Sequence, residues 1–325
     1  MKIKNVLVTG ASGKIGRSLI PVLVKAGYNV RAIQFKTPVK FEKVEVVQGS
    51  VSDEKFVGKV FNDIDAVCHL ATCKEDREHF IDTSIKGTFN LLEECRRQKV
   101  KQFILAGGDA SLGIFYYPHR YSLDENAPLA AYPGYYAFSK VMEETMCQQY
   151  QIQYGLPVTI LRFSWIHDED DILAYMTLMP PDFGGPAWEG LAKTKIQKEF
   201  FKKKKNGVGC LLHPDKKPFI RHIVGILDVI QSFMLALGNK VAINQTFNIA
   251  APSAFSYDIL SKYISKKLDL PVVEFTSDNF YDFTIDITKA KSGLGYKPQY
   301  DIFKIVDSAI EFRKVKKRNA VKYNG

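Results

Sequence analysis

The sequence has few cysteines, and nothing pairs them. Cys68, Cys73, Cys95, Cys147 and Cys210 make an odd count without a C-x-x-C motif. They read as reduced thiols, not as a disulfide framework or a zinc site, and point to a cytoplasmic protein. An uninterrupted apolar run of membrane-spanning length is also missing. The longest candidate, 223–237, is broken by Asp228, Gln231 and Ser232. The apolar run at the N-terminus is too short for a signal peptide and leads straight into a glycine turn. A cytoplasmic protein without membrane association is therefore expected. Internal repeats are absent. His167-Asp168-Glu169-Asp170-Asp171 lacks the further His or Cys that would complete a metal site. It reads as a solvated acidic helix start, and no metal is expected.

Acid is missing where base is abundant. The net charge of +10 is carried by six Lys and Arg in 313–325, a stretch without Asp or Glu, and by four lysines at 202–205. The remainder is formally neutral. A nucleic-acid enzyme would spread basic residues over a binding face. Here they form a solvated tail and one loop, so no nucleic-acid partner is expected.

What is present is a core-forming composition. With 325 residues, 46% hydrophobic and 25% charged, the chain suits two domains or one large α/β domain with an added lobe. Short apolar runs alternate with helical periodicity through the first half. Strands are expected at Asn5–Val8, 29–35, Val44–Gln48, 66–70, 102–106 and Val158–Phe163. Helices are expected at 14–26, 85–97 and Tyr135–Tyr154. This alternation predicts a parallel sheet wrapped by helices on both faces. After Phe163 the pattern loosens. Pro180-Pro181-Asp182-Phe183-Gly184-Gly185-Pro186 must be loop. Helices follow at 193–205 and 226–237, and Gln245–Ile249 is a strand rejoining the sheet. Tyr257–Leu268, 287–294 and 302–314 are helices of a smaller lobe.

Thr9-Gly10-Ala11-Ser12-Gly13-Lys14-Ile15-Gly16 follows a strand and opens a helix. Gly10 permits the tight turn, Gly13 lets backbone approach a pyrophosphate, and Gly16 lets helix pack on strand. Free N–H groups at the helix start favour phosphate. Gly10, Ser12, Gly13, Lys14, Ile15 and Gly16 are thus the expected dinucleotide cradle. An acid at the end of the second strand would hold the 2′-hydroxyl of NAD. Gln34 stands there, followed by Lys36. Gln34 accepts NAD as well, but Lys36 and Lys14 could offset a 2′-phosphate. The cofactor is NAD or NADP, tilted toward NADP.

Tyr136 and Lys140 are four apart on a helix and share a face. A tyrosine with a pKa of about 10 needs a nearby cation to exchange a proton near neutrality. On these residues the chain resembles the extended short-chain dehydrogenase/reductase family, in its NAD(P)-dependent epimerase/dehydratase group. Also matching are His69-Leu70-Ala71, Gly87-Thr88-Phe89-Asn90-Leu91-Leu92, Arg221-His222-Ile223-Val224-Gly225-Ile226-Leu227-Asp228-Val229, Thr246-Phe247-Asn248-Ile249 and Leu294-Gly295-Tyr296-Lys297-Pro298. Only about 166–218 is not covered.

The resemblance implies a Rossmann-like doubly wound parallel sheet with a smaller, mostly helical C-terminal substrate lobe. The dinucleotide-binding domain would span 1–165, with 222–250 rejoining it. Residues 166–221 and 251–325 would form the substrate lobe and basic tail. Tyr136 would be the acid/base, and Lys140 would bind the nicotinamide ribose and lower the tyrosine pKa. Leu70 and Ala71 would line the cofactor, and Arg221 would hold a phosphate of a nucleotide sugar. A homodimer is implied through helices 85–97 and 136–154, with Met146, Cys147 and Tyr150 supplying apolar surface.

Three departures stand out. The Ser or Thr usual after the fifth strand falls on Gly107 or Gly108; Asp109 or Ser111 would then substitute, so Ser111 is a candidate catalytic residue and Gly108, Asp109 and Ser111 face substrate. An Asn common before the Gly-Thr pair is Ser84. The second-strand acid is absent. The expected function is an NAD(P)-dependent oxidoreductase or epimerase acting on a secondary alcohol or ketone of a sugar, sugar acid or nucleotide sugar. Dehydration is disfavoured because Asp109 lacks an acidic partner. The alternative is a non-catalytic dinucleotide-binding sensor or scaffold of the same fold.

Overall fold

Continuous runs of Val, Ile, Leu and Phe, too apolar for one face to meet water, suit strands covered on both sides. In a computed structural model, which describes residues 1–179 and 188–323 with side chains through Val315, these runs form one sheet. The proline-glycine loop expected at 180–186 lies outside the described residues. The strands are β1 (Asn5–Val8), β2 (Asn29–Gln34), β3 (Val44–Gln48), β4 (Ala66–His69), β5 (Gln102–Gly108) and β6 (Val158–Phe163). After the short β7 (Trp165–His167), β8 (Val208–Leu212), β9 (Ile220–Arg221) and β10 (Ile223–Gly225) comes β11 (Gln245–Ile249), which rejoins the sheet. The order is β11-β6-β5-β4-β1-β2-β3, and every pair is parallel.

Helices cover both faces. On one side α1 (Lys14–Lys25) packs Leu19 and Leu23 against the sheet. On the other lie α2 (Glu54–Val60), α3 (Gly87–Arg97) and α4 (Tyr135–Tyr154). Their Val57, Leu91, Leu92 and Cys95 meet Leu7, Val67 and Phe103. The strand order reverses between β1 and β4, so the connections leave in opposite directions and open a crevice at the strands' carboxyl ends. The expected doubly wound sheet is therefore observed.

The lobe begins with α5 (Asp171–Met176) and α6 (Lys195–Lys202), the latter closed by a Thr194/Gln197 capping box. After α7 (Ile226–Ala236), which returns to the sheet, come β12 (Phe255–Ser256), α8 (Tyr257–Leu268), β13 (Val272–Thr276), α9 (Thr288–Leu294) and α10 (Ile302–Tyr323). Leu173, Met176, Phe219, Tyr257, Leu260, Phe275 and Val306 share a separate core. One part of 251–325 does not belong to it. Phe283, Ile285, Leu294 and Tyr296 pack into the core beneath α1 and α7. Buried His222 ties this return down: its Nε2 faces Ala251 O at 3.1 Å and its Nδ1 accepts from Ile285 N at 2.9 Å. The basic C-terminal segment is helical as far as Tyr323.

Candidate active site

The glycine turn behaves as three different requirements. Gly10 has φ +67°, and a Cβ there would lie 2.7 Å from Ala71 N. A Cβ at Gly16 would come within 2.5 Å of Gly10 O and 2.7 Å of Ala11 O. Gly13 is different: a Cβ would meet only Gly10 O, at 3.3 Å. Its missing side chain leaves space on the cleft side, not inside the protein. Gly13 is also the N-cap of α1, with no side-chain cap and no acid in the first turn. The exposed N–H groups and the positive end of the helix await an anion. A cradle of this shape and charge fits the pyrophosphate of a dinucleotide.

The floor beside this turn is held by a buried chain of polar groups. Thr88 Oγ1 donates to Ser84 O, so it must accept from His69 Nε2, 2.9 Å away. His69 Nδ1 then accepts from Thr9 Oγ1 at 2.8 Å. That hydroxyl accepts in turn from Leu70 N and Ala71 N at 3.0 and 3.1 Å. Every link has one direction, and His69 is neutral. Burial, with the charge of Lys140 adding to it, lowers its pKa to about 3.

Tyr136 and Lys140 stand on the first turns of α4 and both line the cleft. The Lys140 ammonium is 5.6 Å from the Tyr136 ring centroid. It donates to Ala106 O at 3.0 Å and to Glu143 Oε2 at 2.8 Å. The next residue, Glu144, receives Arg162 Nε at 3.1 and 3.0 Å on its two oxygens, both partners buried. Arg162 Nη1 also donates to Glu125 O at 3.1 Å. This clamp fixes α4 to β6 one turn beyond Lys140. Burial raises the Tyr136 pKa well above its ordinary value, and the charges of Asp109 and Glu143 raise it further.

The cleft encloses about 850 Å³ and runs from the glycine turn to Trp165, Tyr175 and Arg221. Gly108 has an extended backbone, and a Cβ there would lie 3.6 Å from Tyr136 Oη. This is where the usual Ser or Thr would stand. Asp109 follows, buried, lining the cleft and accepting from Ser164 Oγ at 2.8 Å. Burial raises its pKa to about 6, against the opposing pull of Arg221. Arg221 lies over the Trp165 ring at 3.8 Å and the Phe115 ring at 5.2 Å. Among the described residues no carboxylate lies within 4.0 Å of it, and its Nε has no hydrogen-bond partner. Phe115 and Tyr132 also border an adjoining cavity of about 870 Å³, with Tyr116, Tyr117 and His213.

Some expected site residues are placed elsewhere. Ser111 is fully buried; its Oγ donates to Gly108 O at 2.9 Å, closing the tight turn after β5, so it is not brought into the cleft. Gln34 turns its Oε1 to Val39 N at 2.8 Å, which leaves Phe35 and Lys36 to line the cleft. Lys14 lines the cleft too, but its ammonium pairs with Asp171 and faces Ile166 O. It therefore reaches across toward the lobe, not toward a 2′-phosphate. The acidic run is not simply solvated either. Asp171 takes Lys14, Asp170 takes Arg313 at 2.8 Å, and His167 is buried against Trp165. Cys147 and Tyr150 pack into the subunit's own core, because that side of α4 faces the sheet. Glu143, Trp165 and Tyr175 are cleft or near-cleft residues that sequence reasoning missed.

The doubly wound sheet, with a glycine turn and a cleft at its switch point, is a Rossmann-like fold shaped to take a dinucleotide. Residues 6–250 match the model of the NAD dependent epimerase/dehydratase family, and the chain belongs to that family. A UDP-glucose 4-epimerase of Lactobacillus helveticus is 25% identical over 325 residues, covering 91% of this chain and 92% of that protein. Two solved structures share the fold. A short-chain dehydrogenase/reductase superfamily protein from Agrobacterium tumefaciens, with bound NAD, has TM-score 0.82 at 23% identity and covers 99% of this chain and 100% of its own. The UDP-glucose 4-epimerase of Thermotoga maritima, with UDP-glucose, has TM-score 0.73 at 21% identity and covers 96% and 99%. The sensor or scaffold alternative is set aside, since the chain is an NAD-dependent epimerase or dehydrogenase by family. No helix among the described residues is long and apolar enough to cross a membrane.

Proposed function

We propose that the chain oxidises and re-reduces a secondary alcohol of a nucleotide sugar, as an epimerase, with Tyr136 as acid/base. The observation that carries this reading is the joint placement of Tyr136 and Lys140 along the cleft, with Tyr136 Oη 3.6 Å from where a Cβ at Gly108 would lie. Gly10, Ser12, Gly13, Ile15 and Gly16 would hold the dinucleotide at its pyrophosphate, with Leu70 and Ala71 beside it. Bound there, NAD(P) supplies the acceptor and donor of the hydride. Tyr136 Oη takes the proton of the substrate hydroxyl and later returns it. Lys140 orients the ribose and stabilises the tyrosinate. Asp109 accepts a hydroxyl of the sugar, doing from the next residue what a serine at 108 would do.

Arg221 supports an anion site: its Nε has no hydrogen-bond partner and the charge of Asp109 acts on it without a direct ion pair, which leaves the guanidinium able to pair with a diphosphate. The aromatic cavity beside it suits the planar base of a nucleotide, and the Thermotoga relative carries UDP-glucose. For the cofactor, Lys36 is the basic group at the β2–β3 end of the cleft and supports NADP, whereas the Agrobacterium neighbour holds NAD. Exposed Phe89, Phe138, Ile152 and Tyr154 on α3 and α4 support a homodimer across these helices. Five free cysteines support a reducing, cytoplasmic setting.

The test is a panel of nucleotide sugars with each dinucleotide, reading product isomer and NAD(P)H absorbance separately. Epimerisation gives a new isomer with no net absorbance change. Tyr136→Phe should lose about a thousandfold or more in kcat while retaining cofactor affinity. Near-normal turnover in that variant would remove the mechanism.

A further inference from the structure

Glu143 is fully buried on α4, and the mechanism above leaves it unused. A carboxylate in such a place costs several kcal/mol unless it is paired. Packing alone would be served by any apolar residue. Its partner is the one cation the chemistry needs. Glu143 Oε2 accepts from Lys140 Nζ at 2.8 Å while the same ammonium donates to Ala106 O at 3.0 Å. Two of three N–H groups are thus committed. The other oxygen of Glu143, Oε1, is buried without a hydrogen-bond partner, on the side where Ser84 and Thr72 act on the carboxyl. Ser84 stands where the family resemblance expects the longer Asn, and its Oγ is anchored by Cys73 N at 3.0 Å. The short Ser84 thus sits beside the carboxylate that takes Lys140.

We propose that Glu143 is a positioning residue for Lys140: it holds the ammonium at the Ala106 carbonyl and offsets its charge, so that Tyr136 keeps its proton until a bound dinucleotide competes for Lys140. The inference rests on the reading of Tyr136 as acid/base. The groups acting on Tyr136 come from every neighbouring element. Glu143 of α4 and Asp109 of the turn after β5 act on its charge, Tyr132 faces it from the segment before α4, and the Lys140 ammonium lies 5.6 Å from its ring. Arg221 acts on Asp109 and Tyr132 from β9. Neutral His69 adds no charge. Lys140 alone would draw the phenol toward tyrosinate, and Glu143 opposes it.

The experiment is an ultraviolet titration of tyrosinate in the full chain, with and without NAD, subtracting the matching Tyr136→Phe spectrum because the chain holds 16 tyrosines. In Glu143→Gln the Tyr136 midpoint should fall by about one pH unit, roughly tenfold more tyrosinate at a given pH. Glu143→Asp, which keeps the charge, should stay near wild type. NAD should lower the midpoint more in wild type than in Glu143→Gln. A Tyr136 signal seen before the fold is lost in the Gln variant but not in wild type also counts as the expected shift. The same behaviour in both overturns the proposal. If Glu143→Gln does not fold, Lys140→Met is compared with Lys140→Met/Glu143→Leu. The double variant should titrate lower, and an equal midpoint overturns the proposal. No substrate enters these measurements, so a failure of this proposal and a failure of the turnover assay are told apart.

Discussion

Gly13→Ala and Gly16→Ala should fail in different ways. At Gly16 the new methyl would sit 2.5 Å from Gly10 O and 2.7 Å from Ala11 O, both backbone atoms that cannot swing aside. Overpacking of this kind costs about 1–3 kcal/mol. At about 2–4 °C per kcal/mol, the melting temperature should fall by roughly 2–12 °C. The displaced turn should also lose cofactor. At Gly13 the nearest atom is 3.3 Å away, and φ −74°, ψ 170° suits alanine. The folding cost is a slight shift of Gly10 O together with the poorer N-cap, the latter about 0.5–1 kcal/mol. The methyl would instead enter the space a pyrophosphate fills. Losing one backbone N–H bond to a phosphate costs about 1.5–3 kcal/mol, or about 10- to 150-fold in Kd. Calorimetric titration with NAD and NADP, alongside thermal melts, measures both quantities. Unchanged affinity in a folded Gly13→Ala would refute the cradle, and an unchanged melting temperature in Gly16→Ala would refute the packing argument.

Asp109→Asn should stabilise the protein at pH 8 by about 1–3 kcal/mol. The folded pKa of about 6 lies above the ordinary aspartate value of 3.8, so the unfolded chain sheds its proton first and stability is lost as pH rises through that window. Melts at pH 4 should show no gain, and a gain there equal to that at pH 8 would break the argument. Glu144→Leu should cost about 3–5 kcal/mol by stranding Arg162, and Arg162→Met/Glu144→Leu should recover part of it. A urea series in which the single variant loses under about 1 kcal/mol would show that the clamp is idle. Light scattering should give a dimer for the wild type and a monomer for Phe89→Glu; a monomeric wild type removes the proposed interface.

The sheet was legible because its strands are buried on both faces and so read as unbroken apolar runs. The Tyr136/Lys140 pair was legible because four residues on a helix return to one face. Ser111 was misread because a single tight turn after β5 points it back into the protein, and a turn's direction leaves no periodic mark. Gln34 lies at the expected strand end, yet a contact with Val39 in the following loop turns it away. Cys147 and Tyr150 were taken for outer surface because α4 buries a broad face that includes Lys140, Glu143 and Glu144. A charged residue on a helix reads as exposed unless its partner is known. Arg162 is the partner of Glu144 from 18 residues away, across a strand.

The Thr9–His69–Thr88 chain has a consequence for which sequences can occupy these positions. Each donor in it is matched to one acceptor, so no member can reverse without leaving a buried group empty. Asparagine or glutamine at 69 would bring an oxygen and an amine to the two ends but not the imidazole's reach. Valine at 9 would free two backbone N–H groups at once. Positions 9 and 88 thus need a hydroxyl and position 69 an imidazole, although none takes part in the chemistry. Because burial holds the His69 pKa down at about 3, the polar chain behind the glycine turn keeps one pattern of donors and acceptors through the range in which Asp109 titrates.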